Sequence, residues 1–111
     1  MGRFVKGEVV KIPFLFTDFS QFKRRPALVV SVLSEHNDLI LCMITSQNTR
    51  DRDAIPLDSV DFAYGGLPRA GNIRPNRLFT VEETRVLGSA GHLAPAKLQA
   101  VTDKLVEILH R

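Results

Sequence analysis

The fold is decided by Ala27-Leu28-Val29-Val30-Ser31-Val32-Leu33, followed after a short polar stretch by Leu39-Ile40-Leu41-Cys42-Met43-Ile44. Both segments are rich in aliphatic and β-branched residues, which favour strands. The polar residues 34–38 between them are typical of a turn. Neither segment alternates between apolar and polar positions, and this predicts strands that are covered on both faces. The two segments therefore predict a β-hairpin that is buried on both sides.

Further extended segments lie on either side of this hairpin. Residues 8–12 predict a first strand that ends at Pro13, because proline removes a backbone donor. Residues 14–22 contain four phenylalanines without a clear period and predict a loop. After the hairpin and a polar loop, residues 54–57 predict a short strand, and residues 58–66 predict a helical turn that is stopped by two glycines.

The last third of the chain predicts one more strand and a helix. Residues 72–81 form an extended segment interrupted at Pro75, and the glycines in residues 88–91 predict a break. Pro95 suits the first position of a helix whose start at Ala94 lacks a capping side chain. Apolar residues then recur at helical spacing: Leu98, Val101, Leu105, Ile108 and Leu109. The predicted fold is mainly β, a small curled sheet or barrel with a C-terminal amphipathic helix, in a single domain over residues 1–111.

Composition excludes several classes of protein. The chain has 111 residues, 44% of them hydrophobic, which is too many for a disordered protein. Its single cysteine, Cys42, lies in an apolar run and is expected to be a buried thiol. No apolar stretch reaches the roughly 18 residues of a membrane span, and residues 1–6 show no apolar signal core. We therefore expect a cytoplasmic protein with no membrane partner.

The residues of metal and cofactor sites are not grouped in this sequence. His36, His92 and His110 are scattered, with no cysteine or carboxylate at ligand spacing. The glycine-rich phosphate loops and the nucleophile elbow of hydrolases are also missing. We expect neither a metal nor a cofactor.

Basic residues occur in two clusters that contain no acid. One consists of Lys23, Arg24 and Arg25, and the other of Arg69, Arg74 and Arg77. Guanidinium groups match phosphate oxygens, and aromatic faces stack on unpaired bases, so these clusters and the phenylalanines suit a groove for single-stranded nucleic acid. Alternatively, the arginines are simply solvated and the phenylalanines fill the barrel. Composition alone leaves both interpretations open.

Five segments, in this order and spacing, resemble the PemK/MazF family of toxin ribonucleases over nearly the whole chain. The resemblance implies an SH3-like small barrel of about five to seven strands with a C-terminal amphipathic helix. It also implies a homodimer that cuts single-stranded RNA, including mRNA, without metal. The implied partner is a cognate antitoxin, and the toxin would contact DNA only through that antitoxin. The segments are Lys6-Gly7-Glu8-Val9-Val10, the stretch from Lys23 to Ser31, Ile44-Thr45-Ser46, Gly65-Gly66-Leu67 and Arg74-Pro75-Asn76-Arg77-Leu78.

The resemblance also assigns site residues. Arg25 and Thr45 match the family's active-site arginine and threonine, and Arg74 matches an arginine that acts as general acid. The acidic partner of that arginine is replaced by Asn76, which cannot accept a proton, so the base would have to come from elsewhere, with Asp18 and Glu8 as candidates. Phe79 also stands where other members have an arginine. Residues expected to bind RNA are Lys23, Arg24, Ser46, Gln47, Asn76, Arg77, Phe19 and Phe22.

Two other functions stay open at this point. The related CcdB toxin has the same fold and poisons a DNA topoisomerase without catalysis. It ends in a tail that contains tryptophan, however, and this chain has no tryptophan. The departures at Asn76 and Phe79 instead suggest an SH3-like module that binds RNA or protein and has lost catalysis.

Overall fold

The computed structural model describes residues 3–15, 22–47 and 49–111, with the side chains of Phe14, Leu15 and Phe22 left outside the description. Within these residues, seven strands pair antiparallel in one sheet, and one helix follows them. The strands are β1 (Glu8–Leu15), β2 (Phe22–Leu33), β3 (Asp38–Thr45), β4 (Ile55–Leu57), β5 (Phe62–Gly65), β6 (Gly71–Glu82) and β7 (Gly88–Leu93), and the helix is α1 (Pro95–Leu109). Across the sheet their order is β4-β6-β3-β2-β1-β7-β5. This confirms the predicted mainly β architecture with a C-terminal helix.

The β2–β3 hairpin lies in the middle of the sheet and is buried on both faces, as predicted. On one face Ala27 and Leu41 belong to a hydrophobic cluster that Phe4 and Val86 complete. Side chains of neighbouring positions in a strand point to opposite faces. Leu28 and Cys42, for example, belong to a second cluster, together with Ile44, Ile73 and Leu93. The absence of alternation in the sequence therefore reflects two separate cores.

Helix α1 covers the second cluster. Val101 is fully buried, and Leu98 and Leu105 pack against the same cluster. Ala94 provides no side-chain cap, so the helix depends on this packing, as predicted. Leu109 differs from the prediction, because it is 73% exposed in the last turn. Helical periodicity gives the angle of a residue about the axis, but it does not say how far along the axis the sheet extends.

Several predicted boundaries differ from those of the structure. Pro13 does not end β1, which continues to Leu15. Strand β7 pairs only with residues 8–11 of β1, so Pro13 lies where the strand has a single neighbour and a missing donor is tolerated. The predicted helical turn over residues 58–66 is one 3₁₀ turn, Ser59–Asp61, followed by strand β5.

The glycines of residues 88–91 form part of strand β7 instead of a break. Gly91 pairs with Gly65 of β5, and a Cβ added at Gly91 would lie 2.4 Å from the carbonyl oxygen of Tyr64. The glycines therefore permit two strands to approach closely. Over the described part of the chain, no helix is long and apolar enough to cross a membrane.

Candidate functional site

A groove of about 570 Å³ lies at the edge of the β2–β3 hairpin, on the side where β2 begins and β3 ends. Four segments of the chain form it: Lys11 of β1, the start of β2, the end of β3 with the loop that follows, and the connection between β5 and β6 together with the first residue of β6. The lining residues are Lys11, Lys23, Arg24, Arg25, Pro26, Ile44, Thr45, Ser46, Gln47, Leu67, Pro68, Arg69 and Gly71.

Arg25 and Thr45 meet at this groove because of the hairpin register. The last β2–β3 pair is Ala27–Met43, and Arg25 and Thr45 each lie two residues further along their strands. At this point β1 supports β2 instead, with Ile12 opposite Arg25. The basic residues 23–25 are therefore part of a strand, whereas the sequence suggested a loop or a strand end. A strand holds a side chain in a narrower range of positions than a loop does.

The hydroxyl of Thr45 is oriented by the chain that follows it. Its Oγ1 accepts a hydrogen bond from the backbone N–H of Gln47 at 3.2 Å. A hydroxyl oxygen can accept and donate at the same time. The side chain can therefore offer its own hydrogen to an acceptor in the groove.

The groove is strongly basic. Five of its lining residues carry a positive charge, and none of the lining residues in the described ranges is acidic: the basic ones are Lys11, Lys23, Arg24, Arg25 and Arg69. The sequence placed Arg69 in a basic cluster suited to nucleic acid, but neither Arg69 nor Lys11 was among the predicted site residues. Lys11 reaches it because it pairs with Pro26 across β1 and β2, and Arg69 because the β5–β6 connection crosses to the groove. Only the tertiary fold places the two residues in the groove.

Directly after this connection, the first residue of β6, Gly71, lies against the end of β3. A Cβ built on Gly71 would lie 2.3 Å from the carbonyl oxygen of Thr45, well inside van der Waals contact. Glycine at this position therefore lets β6 approach the end of β3. Beside it, Leu67 and Pro68 give the groove an apolar wall.

Arg74 and Asn76 lie apart from the groove lining and contact a carboxylate instead. Arg74 donates to Asp51 Oδ2 from Nε at 3.3 Å and from Nη2 at 3.2 Å, and Asn76 Nδ2 donates to the same oxygen at 2.9 Å. The backbone N–H of Asp53 donates to Asp51 Oδ1 at 2.9 Å. This backbone bond, followed by those from Asn76 and Arg74, lowers the pKa of Asp51.

A second carboxylate of the same loop is bound by the end of the chain. Arg111 donates to both oxygens of the buried Asp53, at 3.0 and 2.7 Å. It also contacts Glu107 at 3.1 Å. Asp51 is therefore bound by β6, and Asp53 by Arg111, which follows α1. Arg74 and Asp51 are 23 residues apart in the sequence, and Arg111 and Asp53 are 58 apart, so no local sequence pattern could predict either contact.

The other predicted residues are placed as follows. Arg77 is exposed and outside the groove lining. Phe19, the side chain of Phe22 and Asp18 lie outside the described residues. Glu8, a candidate base, accepts a hydrogen bond from the backbone N–H of Val5 at 3.1 Å and does not line the groove.

Cys42 is buried, as predicted, and burial raises the pKa of its thiol to about 12. The described residues contain no cluster of three or more metal-ligating side chains.

Several solved structures share this fold. An endoribonuclease from a mycobacterial species superposes with a TM-score of 0.75 at 16% identity, over 99% of this chain and 94% of that one. A MazE–MazF structure from Deinococcus radiodurans gives 0.74 at 20% identity, over 95% and 94%. A mycobacterial endoribonuclease in complex with its cognate antitoxin gives 0.73 at 16% identity, over 96% and 94%. Identities this low establish the shared fold alone.

The sequence itself provides the family. No curated protein sequence matches the chain significantly. Residues 6–109, however, match the family described as PemK-like, MazF-like toxin of type II toxin–antitoxin system, and this range includes every residue that lines the groove. The chain therefore belongs to the PemK-like and MazF-like toxins of type II toxin–antitoxin systems.

Proposed function

We propose that this toxin is a metal-independent endoribonuclease that cleaves single-stranded RNA, including mRNA, in the groove beside the β2–β3 hairpin. The observation that carries the proposal is the convergence of Arg25 and Thr45 on one basic groove. A guanidinium and a hydroxyl on the same anion site suit a phosphodiester better than a neutral ligand. Structural neighbours described as endoribonucleases support the same activity.

The proposed reaction uses the RNA's own 2′-hydroxyl as the nucleophile. Its oxygen attacks the adjacent phosphorus while the bond from phosphorus to the 5′-oxygen breaks. The products are a 2′,3′-cyclic phosphate and a 5′-hydroxyl, so one proton leaves the 2′-oxygen and one reaches the 5′-oxygen. Negative charge accumulates on the non-bridging phosphate oxygens in the transition state, and the protein accelerates the step by stabilising that charge.

Arg25 and Thr45 are the proposed catalytic residues. The guanidinium of Arg25 can contact two phosphate oxygens at once, and Thr45 can donate its hydroxyl hydrogen to one. Removing one such donor from a developing oxyanion typically costs about 3 kcal/mol. A guanidinium very rarely loses a proton in proteins, so we assign Arg25 to charge stabilisation and alignment.

The remaining cations of the groove are proposed to hold the RNA backbone on either side of the scissile phosphate. Lys23 and Arg24 follow the start of β2, and Lys11 and Arg69 widen the basic surface to β1 and the β5–β6 connection. Ser46 and Gln47 add polar groups beside Thr45. Roles in RNA binding for Phe19, Phe22, Asn76 and Arg77 stay predictions from the family resemblance.

We also propose the partners that the family resemblance implies. These are a cognate antitoxin, a second copy of this chain in a homodimer, and DNA only through the antitoxin, all in the cytoplasm. Two of the structural neighbours support the first of these, because one is described in complex with its cognate antitoxin and another as MazE–MazF.

The test is cleavage of a long single-stranded RNA by the purified protein in excess EDTA. We expect fragments with 5′-hydroxyl ends, and we expect Arg25→Ala to abolish them while circular dichroism stays unchanged. Arg85→Ala removes an exposed arginine that does not line the groove and should cut normally. Intact RNA with the wild-type protein would contradict the proposal.

One observation favours a second candidate, an RNA-binding module without catalysis. No carboxylate or imidazole lines the described part of the groove, and Asn76 replaces the family's acid. Such a module would retard RNA in a gel without cutting it, and its affinity would fall steeply with salt. Growth arrest with intact RNA and altered DNA supercoiling would instead indicate a topoisomerase poison.

A further inference from the structure

Strand β6 holds the loop between β3 and β4 through a row of side-chain donors. Asn72, Arg74 and Asn76 are alternate residues of β6, at the place where its pairing with β3 shifts register between Arg74 and Leu78. Asn72 Nδ2 donates to the carbonyl oxygen of Gln47 at 3.4 Å. Arg74 and Asn76 donate to Asp51 in the same loop. The row therefore contacts the loop at two residues: Gln47, which lines the groove, and Asp51, which does not.

Asp51 is the central acceptor of this arrangement. Its side chain is 11% exposed and that of Arg74 is 25% exposed, so the pair is shielded from much of the solvent. One oxygen binds two side chains, and the other binds the backbone of Asp53. Only three residues separate Asp51 from Gln47, so the two can lie at most about 14 Å apart even when the chain between them is fully extended. Fixing Asp51 therefore restricts where Ser46 and Gln47 can lie.

Asp51 could instead replace the missing acid of Asn76 as a general base. Its contacts argue against this role. A base must reach the proton that it abstracts and have a pKa near the working pH. Asp51 does not line the groove, both of its oxygens accept hydrogen bonds, and those bonds lower its pKa. It is suited to remain a fixed anion.

We propose that Asp51 is a positioning residue for RNA binding, and that Arg74 acts through it by holding Ser46 and Gln47 at the groove. This inference rests on the proposed function. It gives Arg74 a part different from the general acid that the family resemblance implies, because the guanidinium works on the protein's own carboxylate and not on the substrate.

The test compares Asp51→Asn, Arg74→Gln and the double variant. Affinity is measured by fluorescence anisotropy with an RNA whose 2′-hydroxyl at the cleaved position is replaced by hydrogen, and cleavage is measured in single turnover at saturating RNA. We expect each single variant to bind about tenfold more weakly, with a smaller change in the saturated cleavage rate. The double variant should bind no more weakly than either single variant, because both remove one interaction.

Asp53→Asn is the matched control. Asp53 lies in the same loop, is equally shielded and also pairs with an arginine, but its partner Arg111 follows α1 and is not on β6. It should bind RNA as the wild type does, even if its melting temperature falls. Asn76→Ala, which removes one donor to Asp51 without leaving an unpaired buried charge, decides the question if Asp51→Asn does not fold. Its binding should be weakened.

Three results would overturn the inference: normal binding by Asp51→Asn or, in its place, Asn76→Ala; additive losses in the double variant; or loss of saturated cleavage in Arg74→Gln alone, which would mean that Arg74 contacts the substrate. Failure of the wild type to bind and cut RNA is a separate result, and it would overturn the proposed function itself. Melting temperatures of all variants exclude a general loss of folding.

Discussion

Gly71 lies directly against the carbonyl of Thr45, so close that a Cβ added to the glycine would come within 2.3 Å of that oxygen. The neighbour is backbone and cannot rotate away as a side chain could. The first residue of β6 therefore limits where the last residue of β3 can lie, and β3 ends in the proposed catalytic threonine.

Gly71→Ala should consequently impair RNA cleavage by displacing Thr45. We expect a loss of at least about tenfold in single-turnover rate, since displacements of about 1 Å at a catalytic group can cost a hundredfold. Gly88→Ala is the control, because an added Cβ there meets nothing within 4 Å. Equal activity of the two variants would show that Thr45 tolerates the shift or takes no part in cleavage.

Thr45→Val should remove the hydroxyl with little change in shape. If the hydroxyl stabilises the transition state, the single-turnover rate falls about a hundredfold, which corresponds to about 3 kcal/mol. Thr45→Ser keeps the hydroxyl and should retain most of the rate. Thr84→Val, at an exposed threonine outside the groove, should behave like the wild type. A Thr45→Val variant of normal rate would exclude the proposed role.

The affinity for RNA should depend on salt in proportion to the cations that contact phosphates. Each contact to single-stranded nucleic acid adds about 0.7 to the slope of log affinity against log salt. Lys11→Ala and Arg69→Ala should each reduce the slope by about that amount, whereas Arg85→Ala leaves it unchanged. Binding titrations between about 50 and 200 mM salt measure this slope directly. Unchanged slopes would place the RNA elsewhere.

Cys42 should be unreactive in the folded protein. Its pKa is raised to about 12 by burial, so the thiol stays protonated at neutral pH and is also shielded from reagents. A colorimetric thiol reagent should label it only after denaturation. Above pH 9 the unfolded thiol ionises first, so stability should fall between pH 9 and 12 in the wild type more than in Cys42→Ala. Rapid labelling of the native protein would contradict this burial.

The loop carboxylates should make stability sensitive to acid. The pKa of Asp53 is lowered mainly by its hydrogen bonds from Arg111, and that of Asp51 by the backbone N–H of Asp53 and its β6 partners. Their stabilising contribution is therefore complete above pH 4 and is lost as the pH falls through the lowered values. Thermal melts from pH 7 to 2 should decline less steeply in Asp53→Asn than in the wild type. Parallel curves would mean that these contacts do not stabilise the fold.

The amino-acid sequence was enough to predict the hairpin and the helix that begins at Pro95, whereas the two candidate residues Arg25 and Thr45 came from the resemblance to the toxin family. Strand propensity, turn chemistry and helical period act over a few residues, so they can be recognised along the chain. The same local signals failed where a residue's effect depends on its neighbours in the sheet: Pro13 continues a strand, and the glycines of β7 pair instead of breaking the chain.

The folded chain, and not its sequence, shows which residues share the groove and which support it. Lys11 and Arg69 join Arg25 because distant segments of the chain meet there, and Arg74 of β6 contacts Asp51 in the loop between β3 and β4. Both outcomes follow from register and from the path of loops, which depend on how the whole chain buries its two cores. An arginine or lysine in the sequence can bind an anion. Which anion it binds depends on what the fold places within about 3 Å of its nitrogen atoms.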